Sequence, residues 1–187
     1  MKKIGILDIQ GSVEEHFAAL KKLDVEPVLV KTLEALESVD ALILPGGEST
    51  TIAKLLKRFG LKEAVIKRVH AGMPVWGTCA GAILLAKKIK EKDLEDGLEL
   101  MDVTIERNAY GAQMDSFETE IEFNGKIIPA VFIRAPKILE AGSDVEILAR
   151  EGSDIVAARQ KNMLITTFHP EMTKDLTVYE YFINTLF

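Results

Sequence analysis

Cys79 is the single cysteine among 187 residues. No disulfide can form within the chain, so its fold does not draw on an oxidising compartment. No apolar run approaches the roughly 18 residues that a membrane-spanning helix requires. The opening Met1-Lys2-Lys3 and the apolar residues after it superficially resemble a leader, but the run stops at Asp8 and no small-residue cleavage site follows. The chain is therefore expected to be soluble and cytoplasmic, without membrane contact. Positive charge is scarce too: 23 Lys and Arg stand against 29 Asp and Glu, a net −6. That balance argues against nucleic acid as a partner, because a phosphate backbone asks for clustered cations. One cysteine and three scattered histidines give no zinc-type spacing. The glycines at 46 and 47 are not followed by the Gly-Lys-Ser/Thr ending of a phosphate-binding loop. No metal and no cofactor are expected. Repeats, low-complexity tracts and Pro/Gly/Ser linkers are also missing, so residues 1–187 read as one domain, and 48% hydrophobic residues suffice for its core.

Short apolar runs alternate with amphipathic stretches in the first half. Residues 3–7, 27–30, 41–44 and 74–76 are continuous rather than alternating, the pattern of strands buried on both faces. Between them, Ser12 with Glu15 makes a capping box for a helix to about residue 23, with Val13, Phe17 and Leu20 on one face. Helices are also expected over 51–59 and 61–71, stopped by Gly60 and Gly72. Residues 87–102 are charge-rich and read as a solvated loop or short helix. Further on, 117–123 and 126–133 form a hairpin around Asn124-Gly125, and 145–150 with 155–160 form a second. A strand over 163–168 and a helix over 177–187 close the chain. The expected fold is α/β: a three-layer α/β/α domain with a mainly parallel central sheet and antiparallel additions.

Chemistry gathers at three places. Gly77-Thr78-Cys79-Ala80-Gly81 lies between a buried strand and a helical run. A sharp strand-to-helix turn needs small flanking residues and presents its central side chain at the carboxyl edge of the sheet, where open α/β sheets bind ligands. The adjoining helix N-terminus suits a thiolate. A small buried core cysteine is the plain alternative, and the elbow alone does not decide between them. A base is needed, and His169 sits just past a strand with Pro170 and Glu171 after it. In extended chain Glu171 projects to the same side as His169 and can hold one ring nitrogen while the other turns to the nucleophile. His16 and His70 lie within helices, on faces expected to be partly exposed. Third, Pro45-Gly46-Gly47-Glu48-Ser49 follows a strand. Its Gly47 N–H, with the N–H of Ala80, could hold an oxyanion formed in amide hydrolysis.

Taken together, Gly77-Thr78-Cys79-Ala80-Gly81 and Phe168-His169-Pro170-Glu171 resemble the triad-type (class I) glutamine amidotransferases. Several further segments are similar to the branch that serves pyridoxal 5′-phosphate (vitamin B6) synthases: Gln10-Gly11 with Glu15-His16, residues 44–51, Glu106-Arg107-Asn108, Gln113 with residues 115–118, and residues 131–136. The resemblance covers the whole chain, and Ala112 departs from it, standing where many members carry arginine. It implies a Cys79, His169, Glu171 triad. It implies L-glutamine binding by Gly47, Glu48, Ser49, Arg107, Ile133 and Arg134. It further implies docking of a PdxS-type synthase subunit on Gln10, Glu15 and His16, with ammonia as the product handed over. An arginine suits the free α-carboxylate of glutamine. A peptidase of related fold, a glutaminase serving another synthase, and a catalytically idle regulatory module remain as alternatives.

Overall fold

A computed structural model describes residues 1–90, 96–107 and 116–186. In chain order the elements are β1 (Lys2–Leu7), α1 (Val13–Leu20), β2 (Val25–Val30), α2 (Leu33–Glu37), β3 (Ala41–Leu44), α3 (Ser49–Arg58), α4 (Lys62–His70), β4 (Val75–Thr78), α5 (Ala80–Leu85), β5 (Ala86–Ile89), β6 (Met101–Glu106), β7 (Ser116–Phe123), β8 (Lys126–Ile133), β9 (Lys137–Ala141), β10 (Glu146–Glu151), β11 (Asp154–Gln160), β12 (Met163–Thr166) and α6 (Thr177–Thr185). A short 3-10 turn, Pro170–Met172, lies between β12 and α6.

One sheet runs in the order β2-β1-β3-β4-β12-β11-β10-β7-β8. Its first five strands pair in parallel and its remaining neighbours antiparallel. β5, β6 and β9 form a branch that rejoins the sheet at β11. The strand period of two divides the core into halves. Leu42, Leu44, Val75 and Ile165 face α3, α4 and α5 through Ile52, Leu56, Val65, Val69 and Leu84. Ile4, Ile6, Ile43, Trp76 and Leu164 face α1 and α6 through Val13, Leu20, Val178, Tyr179 and Phe182. This is the expected three-layer arrangement, with antiparallel pairing making up more of the sheet than the sequence suggests.

Both hairpins form where the turns demand them. Asn124 (φ 47) and Gly125 (φ 83) supply the two positive angles of a two-residue turn, which matches the twist of the strands. Three expectations need correction. β2 is not buried on both faces: it is the sheet edge, and Leu29 is exposed. Residues 87–102 are not simply a solvated loop. Ala86–Ile89 is a strand, Leu98 is buried and Met101 opens β6, although residues 91–95, four of them charged, lie outside the described part. Finally, α1 ends at Leu20 and its N-cap Ser12 makes no side-chain cap bond; its hydroxyl is engaged elsewhere.

Candidate active site

β4 ends at Thr78 and α5 begins at Ala80, so the chain reverses at Cys79, with φ 48 and ψ −101. Positive φ is costly for a residue with a Cβ, and such strain persists only where the surroundings hold it. Here the Cys79 N–H donates to the Thr166 carbonyl at 2.8 Å, and the Cys79 carbonyl accepts from Ala82 N–H at 3.1 Å. The flanking glycines are required sterically. A Cβ on Gly77 would strike the backbone of Gly81, and one on Gly81 would strike the Leu44 carbonyl. The sequence Gly-x-Cys-x-Gly thus packs β3, β4 and the start of α5 too closely for any other residue at those positions.

β12 runs parallel to β4, with Thr166 beside Thr78, and the chain leaving β12 brings His169 and Glu171 to the same edge. His169 Nδ1 lies 2.7 Å from Glu171 Oε1. The pairing comes about through the 3-10 turn at Pro170–Met172, not through the extended chain expected from the sequence. Burial opposes a charge on His169, but the neighbouring Cys79 sulfur and the Glu171 carboxylate outweigh it and push its pKa up to about 10. Burial likewise opposes a charge on Glu171; nearby His16, His169 and the Ser12 hydroxyl outweigh it and hold that carboxyl at about 2. The Ser12 hydroxyl donates to Glu171 Oε1 at 2.7 Å. Its helix-capping role is replaced by this contact across 159 residues of sequence, which no local pattern reveals.

His16 is a correction. Expected on a docking surface, it is fully buried, with Nδ1 2.7 Å from the Tyr179 hydroxyl, and Nε2 3.2 Å from Thr78 Oγ1 and 3.6 Å from Glu171 Oε2. Its position follows from α1 geometry: Val13, His16 and Leu20 lie on the face turned to the sheet, while Glu14 and Glu15 point outward. Glu15 is exposed, as expected, and so is His70. Gln10 is half-buried. Its side-chain carbonyl accepts from Glu48 N–H at 2.8 Å, which ties the chain after β1 to the Gly46-Gly47 turn.

Beside Cys79 opens a cavity of about 490 Å³ whose lining brings together Gly47, Glu48, Ser49, Ala80, Arg107, Ile133, Arg134 and His169. Every residue assigned above to glutamine, to the oxyanion or to the triad therefore borders this one space, apart from Glu171, which stands behind His169. Gly46 makes that closeness possible, since a Cβ there would press on the His169 ring and approach the Cys79 Cβ. Glu48 caps α3, accepting from Thr50 N–H at 3.0 Å, Thr51 N–H at 2.7 Å and the Thr51 hydroxyl at 2.6 Å. These bonds overcome partial burial and hold its carboxyl at about 2. Arg107 leans on the same corner, 3.1 Å from Thr50 Oγ1 and 3.7 Å from Glu48 Oε1. Arg134 stands at positive φ, 42, on the segment leaving β8. Two cationic side chains, a fixed carboxylate and backbone amides around a half-open cavity suit a small zwitterion with one polar side chain. Asn108, Ala112, Gln113 and Asp115 lie outside the described residues.

Comparison with known proteins adds one family match, two relatives and two solved structures. The profile of the SNO glutamine amidotransferase family matches residues 6–187. The chain is 51% identical over 190 residues to the pyridoxal 5′-phosphate synthase subunit PdxT of Ruminiclostridium cellulolyticum, covering 100% of each chain. It is 52% identical to the protein of the same name from Thermotoga petrophila, covering 97% of this chain and 98% of that one. A crystal structure of a glutamine amidotransferase superposes with a TM-score of 0.93 at 45% identity, covering 97% of each chain. A structure of PurLQS from Thermotoga maritima, 16% identical with a TM-score of 0.74 and covering 100% of this chain and 99% of that one, shares the fold.

Proposed function

The chain belongs to the SNO glutamine amidotransferase family, and from that premise we propose that it is the glutaminase subunit of a pyridoxal 5′-phosphate synthase, with Cys79 as nucleophile. It hydrolyses L-glutamine to L-glutamate and ammonia and passes the ammonia to a PdxS-type synthase subunit. The single observation that carries this reading is the hydrogen-bonded pair of Glu171 and His169 beside Cys79, with His169 and Cys79 lining one cavity that Arg107 and Arg134 border.

In this scheme Cys79 Sγ, as thiolate, attacks the side-chain amide carbon of glutamine. The amide oxygen gains the electron pair and is held by the N–H groups of Gly47 and Ala80. Ala80 is the first residue of α5, where backbone N–H groups have no partner within the helix. As the oxyanion collapses, the carbon–nitrogen bond breaks and His169 gives its proton to the leaving ammonia. His169 then takes a proton from water, which attacks the thioester. Glutamate leaves and the Cys79 sulfur is restored. Glu171 keeps the His169 ring aimed throughout. Arg107 and Arg134 receive the α-carboxylate, and Glu48 with Ser49 and the Ile133 backbone border the ammonium.

The whole chain acts as one glutaminase domain. Among the described residues no helix is long and apolar enough to cross a membrane. A mechanism that needs its one cysteine reduced suits the cytoplasm. Gln10 and Glu15, beside a second cavity of about 960 Å³ on the α1 side, are the side chains we assign to the synthase interface. The test is covalent labelling with a glutamine-analogue electrophile, mapped by peptide mass spectrometry. Modification at Cys79 that L-glutamine suppresses is the expected result. An unreactive Cys79 in the presence of the synthase overturns the assignment.

A further inference from the structure

Two buried side-chain atoms have no hydrogen-bond partner among the described residues: His169 Nε2 and Glu171 Oε2. The first faces the chemistry. The second is the carboxylate oxygen that His169 and Ser12 do not contact, and a buried carboxylate oxygen without a donor is costly. The group turned toward it is His16 Nε2, at 3.6 Å. His16 itself is fully enclosed by Trp76, Thr78, Glu171 and Tyr179.

We propose that His16 is a positioning residue for Glu171: a neutral imidazole, fixed as its Nε2–H tautomer by the Tyr179 hydroxyl, that presents this N–H to the outer oxygen of the carboxylate. The inference rests on the triad reading above and deepens it. Tyr179 is buried beside Glu171, which keeps its phenol protonated and hence a donor. Its partner at 2.7 Å is Nδ1 of His16. Burial opposes the charged form of His16 and outweighs the pull of Glu171. A neutral ring that accepts at Nδ1 must carry its proton on Nε2. Nε2 stands 3.2 Å from Thr78 Oγ1 and 3.6 Å from Glu171 Oε2. The groups around the pair are then complete. Ser12 and His169 hold Oε1. His16 faces Oε2, while Glu15 and His169 act on His16 only through their fields. Ser12 and His16 are an N-cap and a residue of the same short helix, so α1 brings one side chain beside each oxygen of one carboxylate.

Nitrogen-15 spectra of the intact protein test the tautomer directly. With three histidines in the chain, His16→Gln serves to assign the signal. The expected result is a neutral ring, protonated at Nε2 and accepting at Nδ1; a ring protonated at Nδ1, or an imidazolium, overturns the proposal. Glutamine hydrolysis with the synthase present is the second arm. His16→Leu is expected to lower kcat by roughly ten- to a hundred-fold, the worth of one hydrogen bond to a charged group, with little change in KM. The acid limb of its pH profile moves to higher pH, because Glu171 loses a group that favours its charged form. His16→Gln, which keeps a donor at the same reach, recovers most of both. Equal losses in Leu and Gln with an unmoved limb, or no loss in either, overturn the proposal. If His16→Leu does not fold, Tyr179→Phe replaces it, with a lower kcat and a mixed tautomer expected and an unchanged tautomer contradicting. A wild-type protein that releases no glutamate fails the glutaminase reading itself, while the ring signals still decide where the His16 proton sits.

Discussion

At the scale of residues, Glu171 and His169 shift in opposite directions, and this fixes the sign of a pH effect. Glu171 drops from 4.5 to about 2 on folding, so its contribution to stability is complete above pH 4.5 and is lost as pH falls toward 2. His169 rises from 6.5 to about 10, so its contribution is complete below pH 6.5 and is lost as pH rises toward 10. Urea unfolding of Glu171→Gln should therefore differ most from the unmodified protein near neutral pH, with the two curves converging between pH 4.5 and 2. A difference that stays constant over that range would show that the carboxylate is not held by the partners named. How legible these residues are in the sequence varies for physical reasons. Cys79, His169 and Glu171 announce themselves because proline and glycine next to them constrain the backbone. Ser12 and His16 do not, since each reaches Glu171 only through packing of α1 on the sheet, and local pattern reads the first as a helix cap and the second as surface.

At the scale of elements, the junction of β4 and α5 is where fold and site are one object. The helix is short and wholly buried, and it can approach β3 only because Gly81 lacks a side chain. Gly81→Ala should destabilise the protein by about 1–3 kcal/mol, the usual range for overpacking, at the upper end because the obstacle is a backbone carbonyl that cannot rotate away. Denaturant unfolding checks this, and a loss under about 0.5 kcal/mol, the size of an ordinary surface substitution, would mean that the elbow has slack. The strands and hairpins with strong turn chemistry were legible, Asn124-Gly125 above all. β5, β6 and β9 were not: β5 and β9 are short, Lys87 and Lys88 of β5 are exposed, and the three strands pair mainly with one another. Tertiary pairing, rather than local propensity, makes them strands.

At the scale of the whole molecule, the parallel half of the sheet collects every proposed reacting group at one edge, and the antiparallel half contributes Ile133 and Arg134 from β8 and the segment after it. α1 links that edge to the outer surface. Its N-cap Ser12 bonds Glu171 and its inward face sets His16 beside that carboxylate, while its outward face, with Gln10 before it, borders the larger cavity assigned to the synthase. The alternation of strands and helices made the layers readable, whereas the extent of antiparallel pairing depends on long-range register that a single sequence does not display. The central claim is that Cys79 hydrolyses glutamine in the service of a docked synthase. The measurement that tests it most directly is glutamate release from L-glutamine by the purified chain, alone and with a PdxS-type subunit, beside Cys79→Ala. Release that rises when the synthase is added and disappears in the variant is the result predicted. Full release by Cys79→Ala, or no release from the unmodified protein with the synthase bound, would contradict it.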